Sequence, residues 1–490
     1  MNSKKEYEVK IRRFEKKIKE LEKKLENSKS KNTDYSQEQK YLKQRIKELI
    51  ASRKRWKVKL QSKQEEIKLL QAKIVRWGKA KGHHYPTQLV GLCILLRIIG
   101  GCSYGGICRI LGILNGYMGL GLPKLPCANT IQNWVSKMGL FRMQQGAISL
   151  QGKQVSLIID ESIRLGQEKL LLILSIPFEK MKNTALSFQD VEVVYMKGAV
   201  SWTGQKIKQV LEELQLSHGF EIKSIVSDED SKLLKACRLA GIVHVPDISH
   251  AVATCLRKVF EKTEEFICFK NLISSYASKG VNQTLSYLCP PKQRTKARFM
   301  NLSKVVKWAN NMLERTGNLN KVEKEFFKDL SGQADFLGEL KRCIAVAKHI
   351  CLPLKLKGLT KQTIKQAQEQ IISLNVVDGY LGEFLKHLQV YLARYQIVIF
   401  NGVAVSIHVS SEIIESMFSK YKSKANNYAL TGLTSLNLEL PIYGTSIEKI
   451  PQQMTEALES ISIANLNKWK KDNSTESQLV KRQKFFKKGK

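Results

Sequence analysis

Acidic residues are the scarce class in this chain. Against 81 Lys and Arg stand 44 Asp and Glu, which leaves a formal charge of +37 over 490 residues. An excess of that size, spread along the length, implies a polyanionic partner, with nucleic acid ahead of acidic membrane. Long apolar runs are missing too. The longest, around Leu89 to Ile99, contains Arg97 and falls short of a bilayer span, so no membrane partner is expected. The opening MNSKKEYEVKIRRFEKK has no apolar core, which argues against a secretory signal. The ten Cys include no CxxC pair, so neither a disulfide framework nor a zinc ribbon is indicated. Buried thiols in a reducing compartment are the plain reading, with His83 and His84 near Cys93, Cys102 and Cys108 the remaining metal option.

What the chain does have is VSLIIDESIRLGQEKLLLILSIP, residues 155–177. Two short apolar runs, Val155 to Ile159 and Leu170 to Ile176, flank a turn through Leu165 and Gly166 and read as neighbouring buried strands. The first delivers Asp160. A carboxylate at the end of a buried strand is costly unless it is hydrogen-bonded or coordinates a metal. A turn or cap Asp is the simpler account of Asp160 taken alone.

Upstream, residues 1–80 are helical and basic, with 26 Lys and Arg against 11 Asp and Glu. Tyr7, Ile11, Phe14, Ile18, Leu21 and Leu25 repeat with heptad spacing, and the register resumes from Leu42 to Trp77. Such a seam needs a partner helix, either in a parallel dimer or in an intramolecular hairpin. Residues 83–145 suggest three short helices joined by Gly and Pro turns, in the manner of a helix-turn-helix. In the third of these, Ile131, Trp134 and Met138 form the packed face. Asn129 and Thr130 lie near its start, and Gln132, Asn133 and Lys137 are expected to face outward towards DNA. An ordinary helical packing unit is the alternative.

From residue 150 the pattern alternates. VEVVYM (191–196), Ile222 to Val226 and the IVHVP run add three strands, with amphipathic helices between the later ones. Three strands, then helix, strand, helix, strand is the order of a ribonuclease-H-like fold. Residues 262–395 break the alternation and read as a helical insertion. Within it, Lys292 to Lys307 is densely basic, with Phe299 and Trp308 interleaved as a stacking option, although a core position is the plainer reading of Trp308. Arg294, Lys296 and Arg298 are candidate DNA contacts. The expected organisation is thus a basic coiled coil (1–80), a helix-turn-helix-like domain (83–145), and an α/β ribonuclease-H-like domain in two parts (150–261 and 396–427). The insertion (262–395) divides the latter, and a C-terminal helix with a mobile basic tail (428–490) follows.

Asp160, Asp228 after the fourth strand, and Glu415 in SSEIIESMFSKYK are the carboxylates that this architecture would bring together. Three such groups suit two hard cations, Mg²⁺ or Mn²⁺. Glu412 shares the helix, but as a first-turn acid it is explained by the helix dipole. Here the chain resembles the DDE-type transposases, integrase relatives with a ribonuclease-H-like catalytic domain. IIDES and IVSDED look like the sites of the first two family acids. DISH matches the C/D-x-x-H motif of hAT and several bacterial insertion-sequence families, so Asp247 and His250 inherit its supporting role. ESMFSKYK matches the Glu-x-x-Phe-Ser context of the last acid, and Lys422 matches a Lys that some bacterial families use against DNA.

The resemblance implies a transposase that cleaves and joins DNA strands at mobile-element ends by two-metal chemistry. It would act on double-stranded DNA and self-associate through the coiled coil. It would work in the cytoplasm at the nucleoid of a bacterium or in the nucleus of a eukaryote. The alternatives are a non-catalytic, domesticated DNA-binding protein and a related nuclease without strand transfer.

Overall fold

The computed structural model describes residues 2–30, 36–75, 78–119, 122–165, 168–178, 185–281, 285–292, 299–400, 406–424, 434–476 and 478–487. They fall into two compact units, Met1–Leu89 and Val90–Lys490. The first is a two-helix hairpin of α1 (Asn2–Ser30) against α2 (Ser36–Val75). Its seam buries Ile11, Ile18 and Leu42, with Lys10 over the Trp56 ring at 5.0 Å and Lys57 3.9 Å from Glu15. Each buried aliphatic contributes roughly 1.5–3 kcal/mol. The heptads therefore find their partner within the chain, which is the intramolecular of the two arrangements they allow.

Helices α3 (Thr87–Ile98), α4 (Tyr104–Met118) and α5 (Ala128–Ser149) lead to β1 (Gln154–Leu165), β2 (Glu168–Pro177) and β3 (Glu192–Ala199). Then come α6 (Gly204–His218), β4 (Glu221–Ser227), α7 (Ser231–Ala240), β5 (Val243–Pro246) and α8 (Ile248–Phe260). The five strands form one mixed sheet in the order β3-β2-β1-β4-β5. β2 runs antiparallel to its neighbours β1 and β3, while β4 runs parallel to both β1 and β5. Strand alternation sends Leu157, Ile159, Leu171, Ile173, Val194 and Ile225 to one face, where Leu211 and Leu214 of α6 and Leu233 and Ala236 of α7 close a core over them.

The insertion is helical: α9 (Glu264–Val281), α10 (Leu302–Glu314), α11 (Lys321–Phe327), α12 (Ala334–Lys357), α13 (Lys361–Ser373) and α14 (Gly379–Phe400). Between α12 and α13 lies β6 (Leu359–Thr360), which pairs with β7 (Ser406–Ile407). Gly358, at φ +72°, makes the turn into β6, and a Cβ there would stand 2.6 Å from the Ile407 carbonyl oxygen. That pairing returns the chain to α15 (Glu412–Lys424). The C-terminal part comprises a 3-10 segment (Ser435–Gly444) and helices α16 (Ile450–Ser460), α17 (Ile463–Asn473) and α18 (Gln478–Lys487). The KRQKFFK stretch expected as a mobile arm is thus helical, and Glu168 holds it through Lys481 at 3.6 Å.

Two expectations need correcting. Helix α5 is not the outer helix of a separate unit. It packs against β3, the 3-10 segment, α16 and α17, and is buried from Trp134 to Phe141. Lys137 is only 5% exposed and donates to the Leu458 carbonyl at 3.2 Å, so it does not face DNA. The aromatics of the basic segment are also engaged internally: Phe299 stacks on Phe266 at 4.9 Å, and the Trp308 indole donates to the Leu288 carbonyl at 3.0 Å. Neither ring is offered as a stacking platform for bases.

Gly139 is where α5 meets the 3-10 segment. A Cβ built there falls 1.8 Å from the Leu438 carbonyl oxygen and 2.7 Å from its carbon. Gly139→Ala gains about 1 kcal/mol of helix propensity but must push two backbones apart, a cost of roughly 3 kcal/mol or more. The variant is therefore expected to unfold at clearly lower urea than the parent by circular dichroism. An unchanged midpoint would mean that the crossing does not bear on stability.

Candidate active site

The last parallel pair between β1 and β4 is Ile158 with Val226. Asp160 and Asp228 each stand two residues beyond it, so their carboxylates share one level on strands about 4.8 Å apart, although β1 runs on past Asp160 to Leu165 and only Asp228 lies at a strand end. The Ser156 and Ser224 hydroxyls touch at 2.9 Å within this pairing, on the face opposite the α6–α7 core. Alternation carries Asp160 to that same face. The β1–β2 ladder slips between Asp160 and Ile163, a bulge of the kind that re-aims a side chain. Helix α15 packs on β1 and brings Glu415 to the same place.

The result is a cavity of about 880 Å³ lined by Asp160, Asp228, His250, Glu415, Ser419 and Lys422, among others. Lys169, Lys292 and Lys304 also line it. Sequence reasoning did not single out Lys169, although its place beside the β1–β2 turn was readable. Glu161, next to Asp160, is neutralised locally by Lys169 at 2.8 Å and Lys232 at 3.1 Å. Glu412 turns away from the cavity to pair with Lys355. Of the remaining DNA-contact candidates, Asn129 is exposed and Thr130, Gln132 and Asn133 are half-buried at the start of α5. Arg294, Lys296 and Arg298 lie outside the described residues.

Asp247 sits behind the cavity rather than in it, at 1% exposure. One of its oxygens accepts from the backbone N–H of Ser249 at 2.8 Å and of His250 at 3.0 Å, and from His250 Nδ1 at 3.3 Å. The other accepts from the Ser411 N–H at 2.6 Å and its hydroxyl at 3.0 Å. One carboxylate thus caps α8, orients His250 and anchors the chain entering α15. Burial works to raise its pKa, but the bonds from His250 and Ser411 outweigh it and hold the group below the usual range. His250 is correspondingly raised, first by its bond to Asp247.

The three cavity acids behave in the opposite way. Burial, then the neighbouring charges of Asp228 and Glu415, push Asp160 up to about 7. Asp228 and Glu415 are raised too, with burial the leading cause in each. Among the described residues, no three His, Cys, Asp or Glu side chains are drawn close enough to hold a metal ion as they stand. The donor chemistry nevertheless suits a hard cation, since these acidic oxygens line one cavity with no ion-pair partner among the described residues.

No family model matches this chain, and no curated protein matches it either. Among solved structures it is similar to the Drosophila P element transposase strand transfer complex, at 12% identity and a TM-score of 0.39, over 83% of this chain and 99% of that one. A likeness this loose transfers nothing, and function rests on the residues themselves.

The raised Asp160 gives a test of the site's electrostatics. Its folded pKa lies above its ordinary value of 3.8, so the folded state is favoured below about pH 4 and loses that advantage as pH rises towards 7. In metal-free buffer, Asp160→Asn is expected to stabilise the protein by on the order of 2–4 kcal/mol at pH 8 and to leave it nearly unchanged at pH 4. Urea denaturation at the two pH values measures it. Equal effects at both would mean that Asp160 carries no such penalty.

Proposed function

We propose that this chain is a DNA transposase of the DDE type. Its ribonuclease-H-like domain would hold two Mg²⁺ or Mn²⁺ ions between Asp160, Asp228 and Glu415. The observation that carries the reading is the matched offset of Asp160 and Asp228 on adjacent parallel strands, facing a helix that presents Glu415 to the same cavity. Two turn or cap aspartates with no common purpose would have no reason to share that level. The sheet order, with three antiparallel strands followed by two parallel ones, agrees with the ribonuclease-H-like reading. The long helical stretch before α15 agrees with an insertion.

Electrostatics supplies the rest. Lys169, Lys292, Lys304 and Lys422 line the cavity and would draw in a phosphodiester backbone. The acids beside them would repel that same backbone unless a cation stood between. When bound, the two cations would activate the attacking water or 3′-hydroxyl and stabilise the leaving oxygen. His250, whose pKa is raised first by its bond to Asp247, would in its protonated form add a positive donor towards the scissile phosphate. Asp247 would be a positioning residue, since its oxygens are fully used by α8 and Ser411. The hairpin pairs α1 with α2 within the chain, and self-association through the coiled coil would pack one such hairpin against another.

Glu415→Gln is expected to reduce Mg²⁺-dependent cleavage of element ends by at least about a hundredfold while duplex binding and folding stay near the parent's. Glu412→Gln, which removes only the pair with Lys355, should cost a few-fold at most. If the Glu412 change abolishes cleavage and the Glu415 change does not, the site is wrongly drawn. A precleaved end offered with a target plasmid separates transposase from nuclease. Joined product supports the proposal, and cleavage without joining supports the nuclease.

His250→Ala is expected to lower strand transfer far more than DNA affinity, by about ten- to a hundredfold against less than twofold. Equal losses in gel-shift and strand-transfer assays would leave His250 a purely structural partner of Asp247.

A further inference from the structure

A second cavity, of about 560 Å³, opens between α7, β5 and α14. β5 is the edge strand at the opposite end of the sheet from β3. Every charged side chain that lines this cavity is basic or imidazole: Lys235 and Arg238 from α7, His244 from β5 and Arg394 from α14. No Asp or Glu is among its lining residues. Lys235, Arg238 and Arg394 have no carboxylate partner among the described residues, and Arg394 rests only near the Tyr395 ring, 5.7 Å from its centroid. Glu229, whose charge is felt at His244 and Tyr395, does not line the cavity and accepts from the Thr254 hydroxyl at 3.1 Å.

The second observation is Tyr395 itself, which lines the same cavity. It is 2% exposed, and its hydroxyl oxygen is buried with no hydrogen-bond partner among the described residues. An orphaned buried hydroxyl costs roughly 1–3 kcal/mol, and such groups ordinarily find a protein or ligand partner. His244 is already committed. The Ser227 hydroxyl donates to the Asp228 carbonyl at 2.9 Å, so His244 Nε2 must donate to Ser227 at 2.8 Å. That leaves Arg238, Arg394 and Lys235 as the charged partners on offer, and Tyr395 as the buried neutral one.

We propose that this cavity is an anion site that takes a phosphate group, held by Arg238, Arg394 and Lys235 with the Tyr395 hydroxyl as a neutral donor. Two guanidinium forks match the tetrahedral oxygens of a phosphate and can share them in pairs. The volume exceeds that of a bare phosphate and admits one carried on a larger group, either a phosphodiester of a bound strand or a free phosphate compound. Nothing in this site requires the metal chemistry proposed above, and it would bind phosphate even if the carboxylate cavity were inert.

The test uses the full chain, the double variant R238Q/R394Q, and Y395F. Both arginines are exposed, and Tyr395→Phe removes only an unpartnered oxygen, so both variants should fold. Tripolyphosphate is titrated by calorimetry at constant ionic strength, and duplex affinity is measured in parallel across a salt series. If free phosphate is the occupant, the double variant loses about tenfold in tripolyphosphate affinity and Y395F a few-fold, with duplex binding unmoved. If a strand phosphate is the occupant, the double variant's slope of log K against log salt becomes shallower by about two. Either outcome supports the site and identifies its source. Unchanged tripolyphosphate affinity together with an unchanged duplex salt slope in both variants overturns it.

Discussion

The geometry of the carboxylate cavity turns on Asp247. Its two oxygens serve the N-termini of two helices that are distant in sequence, α8 through Ser249 and His250, and α15 through Ser411. Burying a carboxylate this deeply is tolerable only because it accepts five hydrogen bonds, two of them from backbone N–H groups at a helix start, where negative charge is favoured. The far end of α15 is fixed in a similar way. Lys424 donates to the Arg97 and Ile98 carbonyls and lies 3.8 Å from Glu439, which is also bound by Arg97 at 2.7 Å and Tyr104 at 2.8 Å. The helix that carries Glu415 is therefore held at both ends by buried acids, and Glu415 meets β1 at a defined level.

That arrangement divides the chain's few acids into two kinds. Glu161, Asp247, Glu412 and Glu439 each have basic or N–H partners and act as joints of the scaffold. Asp160, Asp228 and Glu415 share a cavity in which burial raises all three, helped by neighbouring acids: Asp228 and Glu415 at Asp160, Asp230 and Glu161 at Asp228, and Asp247 and Glu412 at Glu415. In a protein with so large an excess of cations, supplying those acids with lysine partners would have been easy. Lys169, for example, lines the same cavity yet bonds Glu161. An acidic floor beside lysines would suit the divalent cations and the polyanion of the proposed function together better than either one alone.

Much of this was legible in the sequence because it depends on local periodicity. The strand runs, the Gly-ended helix α6 and the two aspartates, Asp160 within β1 and Asp228 just past β4, follow from alternation and turn residues within windows of about ten residues. Glu415 was legible for a different reason: Ser410 and Ser411 mark the helix start and it stands in the Glu-x-x-Phe-Ser context, but both Glu412 and Glu415 fall in the first turn of α15, so the dipole does not choose between them. What could not be read were contacts between remote segments. The bond from Ser411 to Asp247, the stacking of Phe299 on Phe266 and the grouping of Arg394 with Arg238 leave no local trace in the pattern.

Lys137 shows the physical reason. The spacing of Ile131, Trp134 and Met138 defines one apolar face of α5, and a lysine off that face is ordinarily solvated. A helix covered on several sides keeps that spacing while burying the remainder. Here α16 and α17, more than 300 residues further on, roof the face that Lys137 occupies. Its stem contributes apolar contact, its ammonium finds the Leu458 carbonyl, and burial lowers its pKa. A helix whose polar side is satisfied by another part of the chain looks, in one dimension, the same as a helix whose polar side meets a ligand. Only the three-dimensional partner separates the two.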